Sequence, residues 1–179
     1  MVPEITKLVG TNNINVWSAG CSTGEEPYTL VMMRNEKAPS VHLEVFASDI
    51  SERVLNSAMK AVYNSYAVRN TPETYLNKYF KANDQVFELD HSVRTSVKFM
   101  NINLIDEKKM KIMNNMDVIF CRNVIIYFDD KVKQKVLASL YNSLRPGGFL
   151  FLGSAESLHN ITKAFKPVIV SKVVLYRKT

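Results

Sequence analysis

Apolar and polar positions repeat with two different periods along this chain, and the switches between them mark out the elements. Ile14 to Ala19 is a short apolar run ending in small residues, which predicts a strand. From Pro27 to about Glu36, Tyr28, Leu30, Val31, Met32 and Met33 fit a packed helix. A second strand is expected over Leu43–Ser48. Ser51 then caps a helix with Val54, Leu55, Ala58, Met59 and Val62 on one face. Val97–Asn101, Met116–Cys121 and Phe149–Leu152 read as three further strands. The middle one is nearly all apolar, as in a strand buried on both faces. Before the last of them, Asp129 or Asp130 caps a helix carrying Val132, Val136, Leu137, Leu140 and Leu144, and Arg145-Pro146-Gly147-Gly148 stops it. Pro167–Val170 and Val173–Tyr176, joined by Ser171-Lys172, predict a closing hairpin. Strands alternating with helices imply an α/β fold: a mostly parallel sheet whose last strand runs antiparallel.

Ser65 to about Ser96 breaks this rhythm. Thr71-Pro72-Glu73 reads as a helix start, with Tyr75, Leu76, Tyr79 and Phe80 supplying apolar contacts. Val86–Leu89 and Val93–Phe99 read as extended segments around an Asp90–Ser92 turn. In the second, Val93, Thr95, Val97 and Phe99 alternate with Arg94, Ser96 and Lys98. The stretch is therefore expected to be an insertion carrying a small antiparallel ribbon, suited either to partner contact or to an ordinary surface excursion. Residues 1–13 show few regularly spaced apolar positions and a turn at Gly10–Asn13, so they read as a lead-in to one domain over 14–179.

The chemistry concentrates after the first strand, in Ala19-Gly20-Cys21-Ser22-Thr23-Gly24-Glu25-Glu26-Pro27-Tyr28. A strand, a small-residue turn and a helix N-terminus make a ligand cradle in open α/β sheets. Gly20 and Gly24 allow close main-chain approach. Glu25 and Glu26 would repel a pyrophosphate, which argues against a nicotinamide dehydrogenase. They suit a nucleoside whose tail carries an ammonium or sulfonium group. Asp49 ends the second strand 25 positions past Gly24, near the offset of about 20 at which an acid binds a ribose diol. The other reading, a capping or turn aspartate, is weakened because Ser51 is available as the cap. Asn103 offers the donor and acceptor needed to read an adenine edge, and a turn asparagine is the competing reading.

The remaining properties mainly exclude. The 179 residues carry a formal charge of +6, with 46% hydrophobic and 22% charged residues. That is the profile of a globular domain. No dense basic run with interleaved aromatics marks a nucleic-acid surface. Cys21 and Cys121 form no disulfide framework, and no metal-ligand spacing is present. His42, His91 and His159 are scattered and read as surface or satisfied residues. With neither a signal peptide nor a long apolar run, the expectation is a cytoplasmic protein.

Five stretches together resemble the CheR-type chemotaxis receptor methyltransferases: Trp17–Tyr28, Phe46–Ile50, Asn103-Leu104, Phe120–Phe128 and Leu144–Gly148. The resemblance implies a Rossmann-like class I methyltransferase sheet with a small inserted β-subdomain. It also implies S-adenosylmethionine as donor and methyl ester formation on receptor glutamates. By position, Ala19, Gly20, Thr23, Gly24 and one of Glu25 or Glu26 would lie near the methionine part of the donor. Asp49 would hold the ribose and Asn103-Leu104 the adenine. Arg122 and Asn123 would line the donor pocket, with Arg122 and Tyr127 as the catalytic pair and Tyr127 facing the transferred methyl. The implied partners are the cytoplasmic domains of methyl-accepting receptors, docked by the 65–96 insertion, and the implied state is a monomer. Similar proteins begin with a helical domain carrying an arginine that faces the active site. Only residues 1–13 precede the first strand here, so that domain is expected to be absent. Two other readings stay open: methylation of another substrate, and a non-catalytic module that binds S-adenosylmethionine for signalling.

Overall fold

The computed structural model describes residues 2–159 and 161–179. Met1, in the expected lead-in, lies outside them. The lead-in carries a helix, α1 (Val2–Val9), whose Ile5 and Val9 are buried. Its apolar positions Ile5, Leu8 and Val9 follow the helical spacing.

Next come β1 (Asn13–Ala19), α2 (Glu25–Lys37), β2 (His42–Asp49) and α3 (Glu52–Lys60). Ser51 caps α3 by accepting from the Val54 N–H. Helix α3 stops earlier than the apolar pattern implies, because Ala61 takes a left-handed conformation at its end. Val62 therefore leaves the helix face for β3 (Val62–Asn64). The insertion continues with α4 (Ser65–Val68), α5 (Glu73–Tyr79), β4 (Phe80–Asn83), β5 (Val86–Leu89) and α6 (His91–Arg94). Strands β3, β5 and β4 form a separate antiparallel sheet in that order. Val93 is not extended: Asp90 accepts from the Ser92 N–H and starts the turn of α6, which buries Val93 completely.

The main sheet resumes with β6 (Val97–Asn101). It is followed by α7 (Glu107–Met110), β7 (Met116–Cys121), a 3-10 turn (Ile125–Tyr127), α8 (Asp130–Ser143), β8 (Leu144–Leu152), β9 (Phe165–Val170) and β10 (Val173–Lys178). Asp129 is the cap of α8. Leu144 belongs to β8 rather than to the helix. The seven strands stand in the order β6-β2-β1-β7-β8-β10-β9, all parallel except β10. The fold expectation holds: a mixed α/β domain with a mostly parallel sheet and a separate small antiparallel one.

Alternation along β7 explains why this sheet is covered on both faces. Val118 and Phe120 pack with Ile5, Val16, Leu30 and Leu175, whereas Ile119 and Cys121 pack with Trp17, Val136, Leu137 and Leu140. At the amino end of β7, buried Asp117 pairs with the Arg145 guanidinium and accepts from Asn15 N–H at 2.8 Å. Arg145 also donates to the Val9 carbonyl at 2.9 Å, tying α1 to this end of the sheet. Among the described residues, no helix is long and apolar enough to cross a membrane.

Candidate active site

The register brings the carboxyl ends of five parallel strands into one row. Ala19 lies opposite Ser48, Asp49 opposite Asn101, and Cys121 opposite Leu152. From β1 the chain winds outward through β2 to β6, then crosses back to β7 on the other side of β1. The crevice at such a reversal is where open α/β sheets bind ligands. Trp17 Nε1 donates to Ser48 Oγ at 2.9 Å within the core, which locks β1 to β2 just below this edge.

The turn after β1 is held by its neighbours. Gly20 and Cys21 N–H groups both donate to the Ser48 carbonyl, at 2.8 and 2.9 Å. Gly20 has φ +80°, and a Cβ there would come within 2.4 Å of Val124 Cγ2. Only a glycine lets the β1 and β7 loops approach this closely. Gly24, at φ +90°, precedes α2. Tyr63 of β3 donates its hydroxyl to the Thr23 carbonyl at 2.9 Å, so the small sheet grips the cradle directly.

Asp49 accepts from Ser22 N–H on one oxygen and from Ser51 N–H on the other, both at 3.0 Å. Each carboxylate oxygen can accept twice, so two acceptor positions remain for a diol. Asn101 Nδ2 donates to the Asp49 and Ile50 carbonyls, at 3.2 and 2.8 Å, and sets the strand end that carries Asp49. The two glutamates have separate surroundings. Glu26 accepts from Ser18 Oγ at 2.8 Å and pairs with Arg122 Nη1 at 3.1 Å, whereas exposed Glu25 accepts from Thr23 Oγ1 at 2.8 and 2.7 Å.

The Cys21 thiol registers this negative field. It is pushed up to about 12, first by burial and then by the charges of Asp49, Glu26 and Glu25. Burial disfavours any charge there, whereas the carboxylate contribution disfavours a thiolate and would favour a cation. The residues present thus fit a nucleoside with a cationic tail.

On the far side of the crevice, Arg122, Asn123 and Tyr127 occupy the loop after β7. Asn123 has φ +56°. Tyr127 is 80% exposed, so it is not an aromatic packed against the strand end. Asn103 spends its side-chain oxygen on the Ile105 N–H at 3.0 Å. Leu104 buries its side chain in the core, which leaves its main chain for any ligand contact. Sequence reasoning missed Ser18, Asn101, Tyr63 and Glu156. Glu156 is buried and receives the N–H groups of Asn123, Val124, Ile125 and Gly153. Asn101, Tyr63 and Glu156 carry no local signature because they bond main-chain groups, mostly distant in the chain, and Ser18 reaches Glu26 only because the cradle folds back on β1.

The fold is that of class I methyltransferases. The chain is similar to the N-methyltransferase NodS from Bradyrhizobium japonicum in complex with S-adenosyl-L-homocysteine, with a TM-score of 0.57 and 14% identity. That likeness covers 98% of this chain and 84% of NodS. It is also similar to magnesium protoporphyrin IX methyltransferase from Synechocystis with bound SAM, with a TM-score of 0.53, 16% identity, and coverage of 99% and 75%. Residues 1–174 match the family described as "CheR methyltransferase, SAM binding domain", and the chain belongs to that family. Chemotaxis protein methyltransferase 2 of Vibrio cholerae is 41% identical over 156 residues, which is 85% of this chain and 54% of that protein. Chemotaxis protein methyltransferase 1 of Pseudomonas aeruginosa is 33% identical, covering 99% of this chain and 67% of its own length. The chemotaxis protein methyltransferase of Borreliella burgdorferi is 37% identical, with coverage of 88% and 58%. The chain thus spans between 54% and 67% of the length of these curated relatives.

Proposed function

We propose that the chain is the donor-binding, catalytic part of a protein that methylates glutamate side chains of chemotaxis receptors. One observation carries this reading: Asp49 at the end of β2, Arg122 just past β7 and Glu26 in the first turn of α2 converge beside a glycine cradle in a member of the CheR family. Asp49 would hold the ribose hydroxyls with its two remaining acceptor positions. Ala19, Gly20, Thr23, Gly24 and the Glu25–Glu26 pair would receive the methionine end, with Asn123 closing the far wall. Asn103 and the Leu104 main chain would meet the adenine. Bound S-adenosylmethionine supplies a methyl group already activated by a sulfonium charge.

The acceptor chemistry accounts for what this site does not use. A glutamate side chain ionises at about 4.3, so at neutral pH it is already the nucleophile and needs no general base. Cation and anion become neutral products, so charge shrinks along the reaction. Strong fixed charges at the reacting atoms would favour reactants over the transition state. Positioning then does most of the work, up to roughly 7–11 kcal/mol. Tyr127 would orient the acceptor carboxylate through its hydroxyl. Arg122 would steer an acidic receptor segment while holding Glu26.

The small sheet of β3, β5 and β4 is our candidate for the receptor-docking element, and Tyr63 would transmit its placement to the cradle. The test is transfer of labelled methyl from the donor to chemoreceptor cytoplasmic domains, with this chain and its Tyr127→Phe variant. Base-labile label on receptor glutamates, much reduced in the variant, is expected. Tight donor binding with no transfer to any receptor would overturn the catalytic reading of this chain.

A further inference from the structure

The most enclosed carboxylate at this end of the sheet belongs to none of the roles above. Glu156, on the loop after β8, is 9% exposed. Among the described residues it makes no ion pair. Its charge is met by main-chain N–H groups instead. Oε2 accepts from Asn123 at 2.8 Å and Gly153 at 2.7 Å, and Oε1 accepts from Val124 at 2.9 Å and Ile125 at 3.0 Å. A buried carboxylate with this much amide hydrogen bonding is well compensated, and removing it strands several buried donors at once.

The surroundings are shaped to admit it. Gly153 has no room for a side chain: a Cβ there would lie 2.5 Å from Asn123 Oδ1 and 2.8 Å from Glu156 Oε2. The Glu156 N–H donates to the Gly153 carbonyl at 2.9 Å, which folds the acid back toward the β7 loop. Asn123 sits at φ +56°, a conformation an asparagine adopts only at some cost. Three of the four bonded amides are consecutive (Asn123, Val124, Ile125). They lie between Arg122 and Tyr127, and Val124 is the side chain that closes over Gly20.

We propose that Glu156 is the positioning residue of the active-site loop. Its four hydrogen bonds hold Arg122 to Tyr127 in the single conformation that closes the donor pocket and presents Tyr127 to the acceptor. The proposal rests on the reading that this loop lines the donor site. In Glu156→Gln one oxygen keeps its two donors, but the other is replaced by an NH₂ facing two N–H groups. The loop should open while the sheet survives.

The full chain is compared with Glu156→Gln, Gly153→Ala and Asp117→Asn. The last is a stability control at the opposite end of β7. Calorimetry gives S-adenosylhomocysteine affinity, thermal melts give stability, and amide exchange reports on individual positions. Glu156→Gln and Gly153→Ala should weaken affinity about ten-fold or more. They should also speed exchange at residues 123–125 and leave α8 unchanged. Asp117→Asn should lower the melting temperature and leave affinity within about two-fold, since its site is remote. Unchanged exchange at 123–125 in Glu156→Gln would overturn the proposal. So would an affinity loss no greater than that of Asp117→Asn at equal loss of stability. If the unaltered chain does not bind S-adenosylhomocysteine, the functional reading fails, and the exchange pattern still decides whether Glu156 holds the loop.

Discussion

Arg122 Nη1 stands 3.1 Å from Glu26 Oε2, an ion pair that joins the loop after β7 to the first turn of α2 across the crevice. Both partners keep access to water, with side chains 49% and 22% exposed. Such a pair contributes at most about 1 kcal/mol to folding. Its value lies in holding Glu26 between Ser18 and Arg122, aimed at the place a cationic ligand would occupy. Glu26→Gln should therefore leave the melting temperature nearly unchanged while weakening S-adenosylmethionine binding about ten-fold, the loss of one charge-assisted hydrogen bond. Calorimetry beside thermal melts checks this. A large stability loss with unchanged affinity would make the glutamate a structural strut.

Asp49 bonds the Ser22 and Ser51 N–H groups and keeps acceptor capacity for a diol, so stability and ligand affinity report on it separately. Asp49→Ala should cost about 1 kcal/mol of stability from the lost N–H partners. Its affinity for a ligand with a ribose should fall about ten-fold, measured with S-adenosylhomocysteine. Unchanged affinity would sink the ribose assignment, whatever happens to stability.

A single methyl group at Gly20 is predicted to disable the cradle. Gly20→Ala places its Cβ against Val124 at φ +80°. The left-handed backbone and the forced separation from Val124 together should cost about 3 kcal/mol. Because Val124 belongs to the loop Glu156 holds, the damage should reach donor binding as well. Urea melts and calorimetry on one sample measure both, and a tolerated alanine would show that the two loops need not touch.

What the sequence made legible follows from the range of the interactions. Strand β7 is an apolar run with both faces covered, so its pattern sufficed to read it as buried on both sides. The cradle was legible because glycines, a helix start and paired acids are adjacent in the chain. Helix α1 escaped notice because Pro3, Glu4 and Lys7 dilute a correct helical spacing of Ile5, Leu8 and Val9. Val93 alternates like a strand residue, yet Asp90 caps a turn there and local hydrogen bonding won over period. Glu156 and Asn101 could not be found by pattern, since both act on main-chain groups distant in sequence.

Cys21 offers a probe of the site's field that needs no ligand. Burial comes first in raising its thiol from the ordinary 9.0 to about 12, with Asp49, Glu26 and Glu25 adding to it. At pH 9 the folded protein should therefore hold about one five-hundredth of the thiolate of a free cysteine and react with iodoacetamide correspondingly slowly. Urea should release the full rate. The linkage has a definite sign. The folded value lies above the unfolded one, so this thiol's contribution to stability is complete below about pH 9 and is lost as pH rises from 9 toward 12. Cys21→Ser should remove that part of the alkaline loss. Asp49→Asn, which removes the carboxylate that acts most strongly on the thiol, should speed alkylation of folded Cys21 without exposing it. If the rate is unchanged by Asp49→Asn, burial alone sets the thiol, and the convergence of carboxylates on this spot is electrostatically idle.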